Sequence, residues 1–357
     1  MTKEEEKYLF WLTSLSGLGL SFVQRFFERY KSIDKARSLS ETDIKKAEWM
    51  KPREKNYFAK AYKQEGWQHE WEQLAKNHII FYSYFHESYP ERLKHIDSPP
   101  KRLFVKGKLP DASKLSVAVV GARNCTPYGR DMARMFSYRL AAAGVFVISG
   151  MALGIDGWGH QGALEAGGET YAVLGSGVMR CYPSCHQNLY ESIIRHGGVI
   201  SEFPVYARAK PVFFPMRNRI ISGLSDGILV VEAREKSGSL ITADAALEQG
   251  KDVFVIPGRI GDELSVGCNR LIRMGAVPVL TPDDILDYYG VKTSDGSRNV
   301  NETEQKILSF LGGKTMHMDE ISAGLSLPMT QLLKCMIVLQ KKGYVIEVGR
   351  NFFMKKI

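Results

Sequence analysis

The chain has 357 residues, of which 44% are hydrophobic and 24% charged, and its formal net charge is +9 at pH 7. These proportions are ordinary for a soluble globular protein, and no stretch approaches the roughly 18 uninterrupted apolar residues of a membrane span. The acidic start, MTKEEEKYLFWL, does not resemble a signal peptide. Five scattered cysteines argue against a disulfide framework. We therefore expect a cytoplasmic protein with no membrane partner.

Residues 1–80 are predicted to form a helical domain. Apolar residues recur at helical spacing through YLFWLTSL and SFVQRFFERY, and LSGLG lies between them. A Gly-x-Gly turn between two helices resembles half of a helix-hairpin-helix, whose amides can contact a DNA phosphate. A tight interhelical turn needs glycine for its φ angles in the same way, so both interpretations stay open.

Residues 81–290 are predicted to form a Rossmann-like α/β domain. Runs rich in Val, Ile and Leu alternate with helical stretches such as 127–143 and 239–250. That alternation is typical of a doubly wound, mainly parallel sheet that helices cover on both faces. The predicted strands are 116–120, 145–149, 170–174, 198–203, 227–233, 252–257 and 276–280.

Glycine, serine or arginine follows six of these strands in succession. The turns begin GARNCTPYG, SGMALGID and GSGVMRCYP, and continue with FFPMRNRIISG, EAREKSGSLITA and PGRIGDELSVGCN. Ligands of parallel sheets bind beyond the carboxyl ends of the strands, where glycines and helix N-termini favour phosphates. Neither the GxGxxG fingerprint nor a Walker A sequence is present. Repeated phosphate-binding turns along one edge suit a polyanion better than a single nucleotide.

The stretch from Lys210 to Arg219 is the most specific of these signals. Arginine offers a fork of donors to a phosphate, and phenylalanine can stack on a base. Phe213 and Phe214 precede the triplet Arg217-Asn218-Arg219. In the alternative interpretation the phenylalanines belong to the core, and the arginines pair with Glu202 or Asp226.

Catalytic and metal sites are not expected. Asp156 and His160 are spaced for an acid–base pair, but an aspartate at a helix start more often caps the helix. Cys181, Cys185 and His186 lie close together without a distant second pair, which is a poor zinc signal. We therefore expect no enzyme activity, no cofactor and no metal.

Residues 291–300, VKTSDGSRNV, are predicted to be a linker, and residues 301–357 a winged-helix domain. Three short helical stretches precede a hairpin-like YVIEVGRNFFMKK. The third stretch, TQLLKCMIVLQ, is apolar nearly all round. That composition favours packing or protein contact over readout of duplex DNA.

The strand-end sequences resemble those of the DNA-processing protein A (DprA/Smf) family. The resemblance is carried by VAVVGARNCTPYG, SGMALGIDGWGHQGAL, FPMRNRIISGLSDGILVVEAREKSGSLITA and VFVIPGRIGDELSVGCNRLI, in that order. It implies a protein that binds single-stranded DNA, forms a homodimer through its Rossmann-like domain and helps to load the RecA recombinase during natural transformation. It also implies that the chain is not an enzyme.

The resemblance implies DNA contacts by Arg123, by the turn from Ser149 to Ala152 and by the basic stretch that contains Lys210, Arg217 and Arg219. With the glycine and serine turns added, the candidate DNA-binding residues are Gly121, Arg123, Ser149, Gly150, Met151, Ala152, Gly175, Ser176, Gly177, Lys210, Arg217, Asn218, Arg219, Ser237, Gly238 and Ser239.

Two other functions compete with this interpretation. The fold also resembles the Rossmann-like phosphoribohydrolases of nucleoside monophosphates, but their PGGxGT signature is absent and SGSLITA occupies the comparable place. The other alternative is a transcription regulator that acts through the winged helix.

Overall fold

The computed structural model describes residues 2–15, 17–63, 65–291, 301–312, 314–341 and 344–355. The chain divides into two compact units, Met1–Val291 and Lys292–Ile357. The predicted linker at residues 291–300 lies, apart from Val291, outside the described residues.

The first unit begins with short helices around an aromatic core. Thr2 and Glu5 form a capping box that starts the first helix, because each side chain bonds the other residue's backbone amide. The turn after it needs glycine, since Gly17 has a φ of 77° and the ring of Tyr57 covers its α-carbon. The helices are α1 Lys3–Ser14, α2 Leu20–Arg29, α3 Ile33–Arg37, α4 Glu41–Lys46, α5 Pro52–Ala61 and α6 Trp67–Lys76.

A nine-stranded sheet forms the centre of this unit. Its strands are β1 Ile79–Ser83, β2 Arg102–Gly107, β3 Ser116–Val120, β4 Phe146–Ser149, β5 Thr170–Val173, β6 Gly198–Ser201, β7 Gly227–Val230, β8 Asp252–Val255 and β9 Val277–Pro278. The strand order is β1-β2-β6-β5-β4-β3-β7-β8-β9. Strands β3 to β9 pair in parallel, whereas β1–β2 and β2–β6 are antiparallel.

Helices cover both faces of the sheet, so the predicted doubly wound, mainly parallel fold is confirmed. Alternate residues of β3 enter two separate cores: Val117 and Val119 pack with α8 and α9, while Ala118 and Val120 pack with α11 and α12. The remaining helices of this unit are α7 Glu91–Lys94, α8 Pro127–Ala142, α9 Ile155–Glu165, α10 Gln187–His196, α11 Phe213–Leu224, α12 Gly238–Glu248, α13 Val266–Arg273 and α14 Pro282–Tyr288, and a 3₁₀ turn at Ser184–His186 precedes α10.

All seven predicted strands are present, although most are shorter than predicted. The sequence analysis missed β1 and β2, which extend the sheet in the antiparallel sense. These two strands connect the N-terminal helices to the sheet. Phe10 of α1 packs edge-on against Phe81 of β1 and Phe104 of β2, with ring centroids 5.4 Å and 6.1 Å away.

The second unit contains α15 Glu302–Leu311, β10 Thr315–His317, α16 Met318–Leu325, α17 Met329–Lys341, β11 Val345–Gly349 and β12 Phe352–Lys355. Its strands form an antiparallel sheet in the order β10-β12-β11. Three helices followed by a hairpin is the element order that the sequence predicts for a winged helix. Helix α17 buries Leu332 and Leu339 but leaves Leu333 and Ile337 exposed.

Among the described helices, none on its own has both the length and the apolar composition that a membrane span requires. One pair bent by 115°, Met318–Leu325 with Met329–Gln340, meets those two criteria together.

Candidate nucleic-acid interface

A cleft of about 640 Å³ opens where the sheet changes its winding direction. Strand β3 lies between β4 and β7, and the chain builds the sheet outward from β3 on one side and from β7 on the other. The loops after such neighbouring strands diverge, which leaves a crevice at their carboxyl ends. The cleft is lined by the turn after β3, the turn after β7 and the first turns of α11 and α12.

The turn after β3 places Arg123 at the cleft surface. The amide of Ala122 donates to the carbonyl oxygen of Glu232 at 2.8 Å, which fixes this turn to the end of β7. Gly121 has no room for a side chain, because a β-carbon there would lie 2.6 Å from Ile155 and 2.9 Å from the Glu232 carbonyl oxygen. Arg123 itself is exposed and lines the cleft.

Of the two phenylalanines, Phe214 faces the cleft and Phe213 does not. The guanidinium carbon of Arg123 lies 5.1 Å from the Phe214 ring centroid, and Tyr182 packs against the same ring at 5.6 Å. Phe213 stacks on the buried Phe203, with centroids 4.0 Å apart. Phe213 therefore belongs to the packing, as the alternative interpretation has it, whereas Phe214 lines the cleft.

Arg217 lies at the base of the cleft and is only 4% exposed. Its Nη1 donates to the carbonyl oxygen of Val173, 2.5 Å away, at the end of β5. Its Nε atom is buried and has no hydrogen-bond partner among the described residues. Burial lowers the pKa of Arg217 to about 10, and the neighbouring carboxylate of Asp156 opposes that shift. The side chain thus remains a cation at neutral pH.

Asp156 is the acidic side chain that lines the cleft. It accepts hydrogen bonds from the amides of Gly150 at 3.2 Å and Ala152 at 3.4 Å. Burial raises its pKa, while Arg217 acts in the opposite direction. Asp156 therefore holds the turn after β4 and neutralises part of the buried guanidinium charge.

The N-terminus of α12 forms another wall of the cleft. Ser237 caps this helix by accepting from the amide of Ser239, and the hydroxyl groups of the two serines are 2.8 Å apart. Asn218 is 8% exposed and donates through Nδ2 to the carbonyl oxygen of Gly238 at 3.3 Å. Free amides and the helix dipole at this end favour an anion.

Three further residues line the cleft that were not predicted from the sequence: Tyr182, Arg234 and Lys236. Arg234 and Lys236 are exposed and follow β7, in the EAREKSGS segment where they could have been recognised. Arg234 also forms an ion pair with Glu263 at 3.3 Å. Nothing in the sequence distinguishes Tyr182 from other loop tyrosines.

Several predicted contact residues do not reach the cleft with their side chains. The hydroxyl of Ser149 is fully buried and donates to the Val119 carbonyl oxygen at 2.6 Å, and that of Ser176 donates to the Arg180 carbonyl oxygen at 2.8 Å. Met151 is also buried, so only the backbone of that turn remains near the cleft. The buried residues Gly175 and Gly177 are not among the cleft-lining residues.

The two basic residues on either side of Arg217 differ in their surroundings. Arg219 forms an ion pair with Glu202 at 2.5 Å, as in the alternative interpretation, and is not among the cleft-lining residues. Asp226 pairs instead with Arg92 at 2.9 Å. Lys210 is exposed, with its ammonium group 5.6 Å from the Phe213 ring centroid.

The spacing of Asp156 and His160 does not produce an acid–base pair. His160 is fully buried, and its Nδ1 lies 2.7 Å from the Thr170 hydroxyl on β5. Burial lowers the pKa of His160 to about 3, which keeps the ring neutral. In the part of the chain that the structure describes, no group of three or more His, Cys, Asp or Glu side chains is placed to hold a metal ion.

The comparisons with known proteins agree with this architecture. The model of the family "DNA recombination-mediator protein A" matches residues 80–290. Protein Smf of Escherichia coli is 37% identical over 279 residues, which cover 74% of this chain and 75% of that protein. The DNA processing protein DprA of Streptococcus pneumoniae is 42% identical over 205 residues, covering 57% of this chain and 72% of the relative.

Two solved structures are similar to this chain. The X-ray structure of DprA from Streptococcus pneumoniae superimposes with a TM-score of 0.68 at 34% identity, covering 79% of this chain and 97% of the other. DprA from Helicobacter pylori, whose structure was described for its single-stranded DNA binding mode, gives a TM-score of 0.53 at 28% identity, covering 59% and 96%. The chain belongs to the DNA recombination-mediator protein A family.

Proposed function

We propose that this protein binds single-stranded DNA in the cleft between the turns after β3 and β7. The observation that carries the proposal is the pairing of Arg123 with Phe214 at the cleft surface, 5.1 Å from guanidinium carbon to ring centroid. A single strand offers both an exposed base to stack on an aromatic ring and a phosphate to bind a guanidinium.

The charges of the cleft support a nucleic acid over an uncharged ligand. Four of its lining residues carry positive charge and one carries negative charge: Arg123, Arg217, Arg234, Lys236 and Asp156. The N-terminus of α12 adds amide donors at the same place. The cations would bind phosphates and the Phe214 ring would stack on a base face, and both features are common to all four nucleotides. Binding is therefore expected to tolerate many sequences.

The direct test compares a labelled single strand with its duplex by fluorescence anisotropy. The proposal predicts tighter binding of the single strand and a loss of about tenfold in Arg123→Ala, since the charged hydrogen bond to a phosphate disappears. Tyr138→Ala is the matched control, because Tyr138 is an exposed aromatic of α8 that does not line the cleft. Equal affinity for both DNA forms would refute the preference for single strands.

We further propose that the bound strand is passed to a RecA recombinase, so the protein acts as a mediator in the cytoplasm rather than as an enzyme. Membership of the recombination-mediator family supports this step. The test is RecA filament assembly on a strand that is already covered by a single-strand binding protein. Faster assembly with the wild type than with Arg123→Ala is expected, and no acceleration would contradict the proposal.

Release of a free base from AMP would instead favour the phosphoribohydrolase alternative.

A homodimer through the Rossmann-like domain is part of the same proposal. Strand β9 ends the sheet with two residues, and the apolar side chains of Met274 and Leu280 beside it are 61% and 76% exposed. Uncovered apolar side chains at a sheet edge are typical of an interface. Light scattering should report a dimer, and Leu280→Lys should shift it towards the monomer; a wild-type monomer at high concentration would refute this part.

A further inference from the structure

An exposed tryptophan lies outside the cleft, on the first turn of α9. All five tryptophans lie among the described residues, and Trp158 is the most exposed of them at 37%. Trp11 and Trp67, by contrast, are 1% and 9% exposed within the N-terminal core. An indole left in solvent forgoes the free energy that its burial would give. The exposed part of the Trp158 ring is available to a ligand.

Glycines determine which side of α9 carries this ring. Gly159 faces Val119 and Ser137, where a β-carbon would lie 3.2–3.3 Å from their side chains, and Gly162 lies against the backbone of Arg134. These close contacts bring α9 tightly onto the sheet and onto α8. The large side chain of Trp158 has no space on that inner side and projects outward.

Arg130 covers one face of the indole. Its guanidinium carbon lies 5.8 Å from the ring centroid, and Arg130 belongs to the first turn of α8. That turn is fixed by Glu232, which accepts from the amide of Thr126 at 2.9 Å and from its hydroxyl at 2.5 Å. Arg130 also pairs with Asp131 through Nε at 2.8 Å, and both side chains are exposed. The aromatic ring and the cation are thus held side by side on two rigid helices.

The start of helix α9 connects this pair to the turn after β3, which lines the cleft. Gly154 is the N-cap of helix α9, and its α-carbon packs on the carbonyl groups of Ala122 and Arg123. The amide of Ile155 donates to the Ala122 carbonyl oxygen at 3.2 Å. Four residues separate Gly154 from Trp158, a rise of about 6 Å along the helix. A strand that runs from Arg123 along α9 would therefore reach the Trp158 indole within the first turn of this helix.

We propose that Trp158 and Arg130 form a second binding point for single-stranded DNA, with a base stacked on the indole and a phosphate bound by the guanidinium. This inference rests on the proposed function, because the strand reaches the pair from the cleft. It extends the contact by at least one nucleotide on the α8–α9 side of the sheet. A sequence-tolerant single-strand binder uses such aromatic rings together with nearby cations.

The test compares two labelled strands, one of about 6 nucleotides that the cleft accommodates and one of about 15 nucleotides that reaches beyond it. Trp158→Ala should weaken binding of the long strand about tenfold and that of the short strand less than about twofold. Trp158→Phe keeps a ring and should restore most of the long-strand affinity. Tyr138→Ala, about 12 Å further along α8 than Arg130, should change neither affinity.

Each outcome separates this inference from the proposed function. If the wild type binds both strands and Trp158→Ala binds both equally well, the second point is refuted and the cleft stands. An equal loss on both strands also refutes it, because Trp158 would then act through the cleft or through stability. If the wild type binds neither strand, the proposed function itself fails.

Tryptophan emission gives a second measurement that does not depend on affinity. A stacked base should quench the emission of Trp158 when the long strand saturates the protein, and the quenching should disappear in Trp158→Phe. Quenching that persists unchanged in that variant would overturn the proposal. Matching thermal unfolding curves for the wild type and both variants would exclude an effect of misfolding.

Discussion

The guanidinium of Arg217 lies directly on the α-carbon of Gly150, so that a β-carbon at position 150 would overlap its Nη1 atom. The turn after β4 and helix α11 are joined at this contact. Arg217 reaches past Gly150 to the carbonyl oxygen of Val173, while Asp156 holds the amide of Gly150. The base of the cleft is therefore built around a buried cation that needs glycine beside it.

Gly150→Ala is predicted to displace Arg217. Overpacking of a close contact costs about 1–3 kcal/mol, and the displaced guanidinium also loses its bond to Val173. The variant should unfold at lower urea concentration and bind single-stranded DNA more weakly. Gly261→Ala is the matched control, since nothing lies within 4 Å of a β-carbon at that glycine. Equal stability of the two variants would contradict this packing.

Arg217→Met is predicted to lower the free energy of unfolding by about 1–3 kcal/mol, because the buried Val173 carbonyl oxygen loses its donor and Asp156 loses the nearby positive charge. Adding Asp156→Asn should recover the electrostatic part of that loss, since the carboxylate that Arg217 favours is then removed as well. Urea unfolding of the two single variants and the double variant measures the coupling. Strictly additive effects would show that the two side chains do not interact.

Arg219→Met is predicted to affect stability rather than DNA binding. Its partner Glu202 is partly buried, and burial already raises the pKa of that carboxyl group while Arg219 opposes the shift. Without Arg219 the pKa of Glu202 should rise further, and the free energy of unfolding should fall. Fluorescence anisotropy on the folded variant should give the wild-type affinity for single-stranded DNA. A tenfold weaker affinity would indicate instead that Arg219 contacts the DNA.

His160 is predicted to make the protein less stable in mild acid. Burial lowers its pKa to about 3 in the folded protein, whereas an unfolded histidine titrates near 6.5. Between these values the unfolded chain binds a proton that the folded chain excludes, so the free energy of unfolding falls as the pH falls. From about pH 8 to about pH 5.5 the contribution is on the order of 1 kcal/mol. The free energy of unfolding of His160→Asn, measured with urea, should lack this part of the pH dependence. The same pH dependence in the variant and the wild type would refute the role of His160.

The sequence predicted the parallel part of the sheet well, because strands that helices cover on both faces are nearly continuous Val and Ile runs. Strands β1 and β2 have no such signal. Strand β1, IIFYS, alternates between buried and less buried positions, and β2 begins with Arg102, which is only 7% exposed although it is charged. These two strands pack against residues of the N-terminal helices, such as Phe10. The hydrophobic pattern of a short segment does not reveal such contacts with residues distant in the sequence.

Prediction of the site was limited in a different way. Placing glycine, serine and arginine at the carboxyl edge followed from topology, and Arg123, Arg217 and Ser237–Ser239 do meet there. Whether a side chain points outward does not follow from topology. Ser149 and Ser176 bond backbone carbonyl groups inside the protein, and Arg219 turns to Glu202. The orientations of these side chains depend on partners that are not their neighbours in the sequence.

The cations of the cleft are proposed to bind the phosphates of a single strand, and the salt dependence of binding is the sharpest test of these contacts. About four to six phosphate contacts predict a slope of log K against log salt of about −3 to −4 for single strands. Arg123→Ala should reduce the steepness by about 0.7, the share of one phosphate, and weaken binding evenly across sequences. A slope near zero, or a variant with the wild-type slope and affinity, would contradict the account.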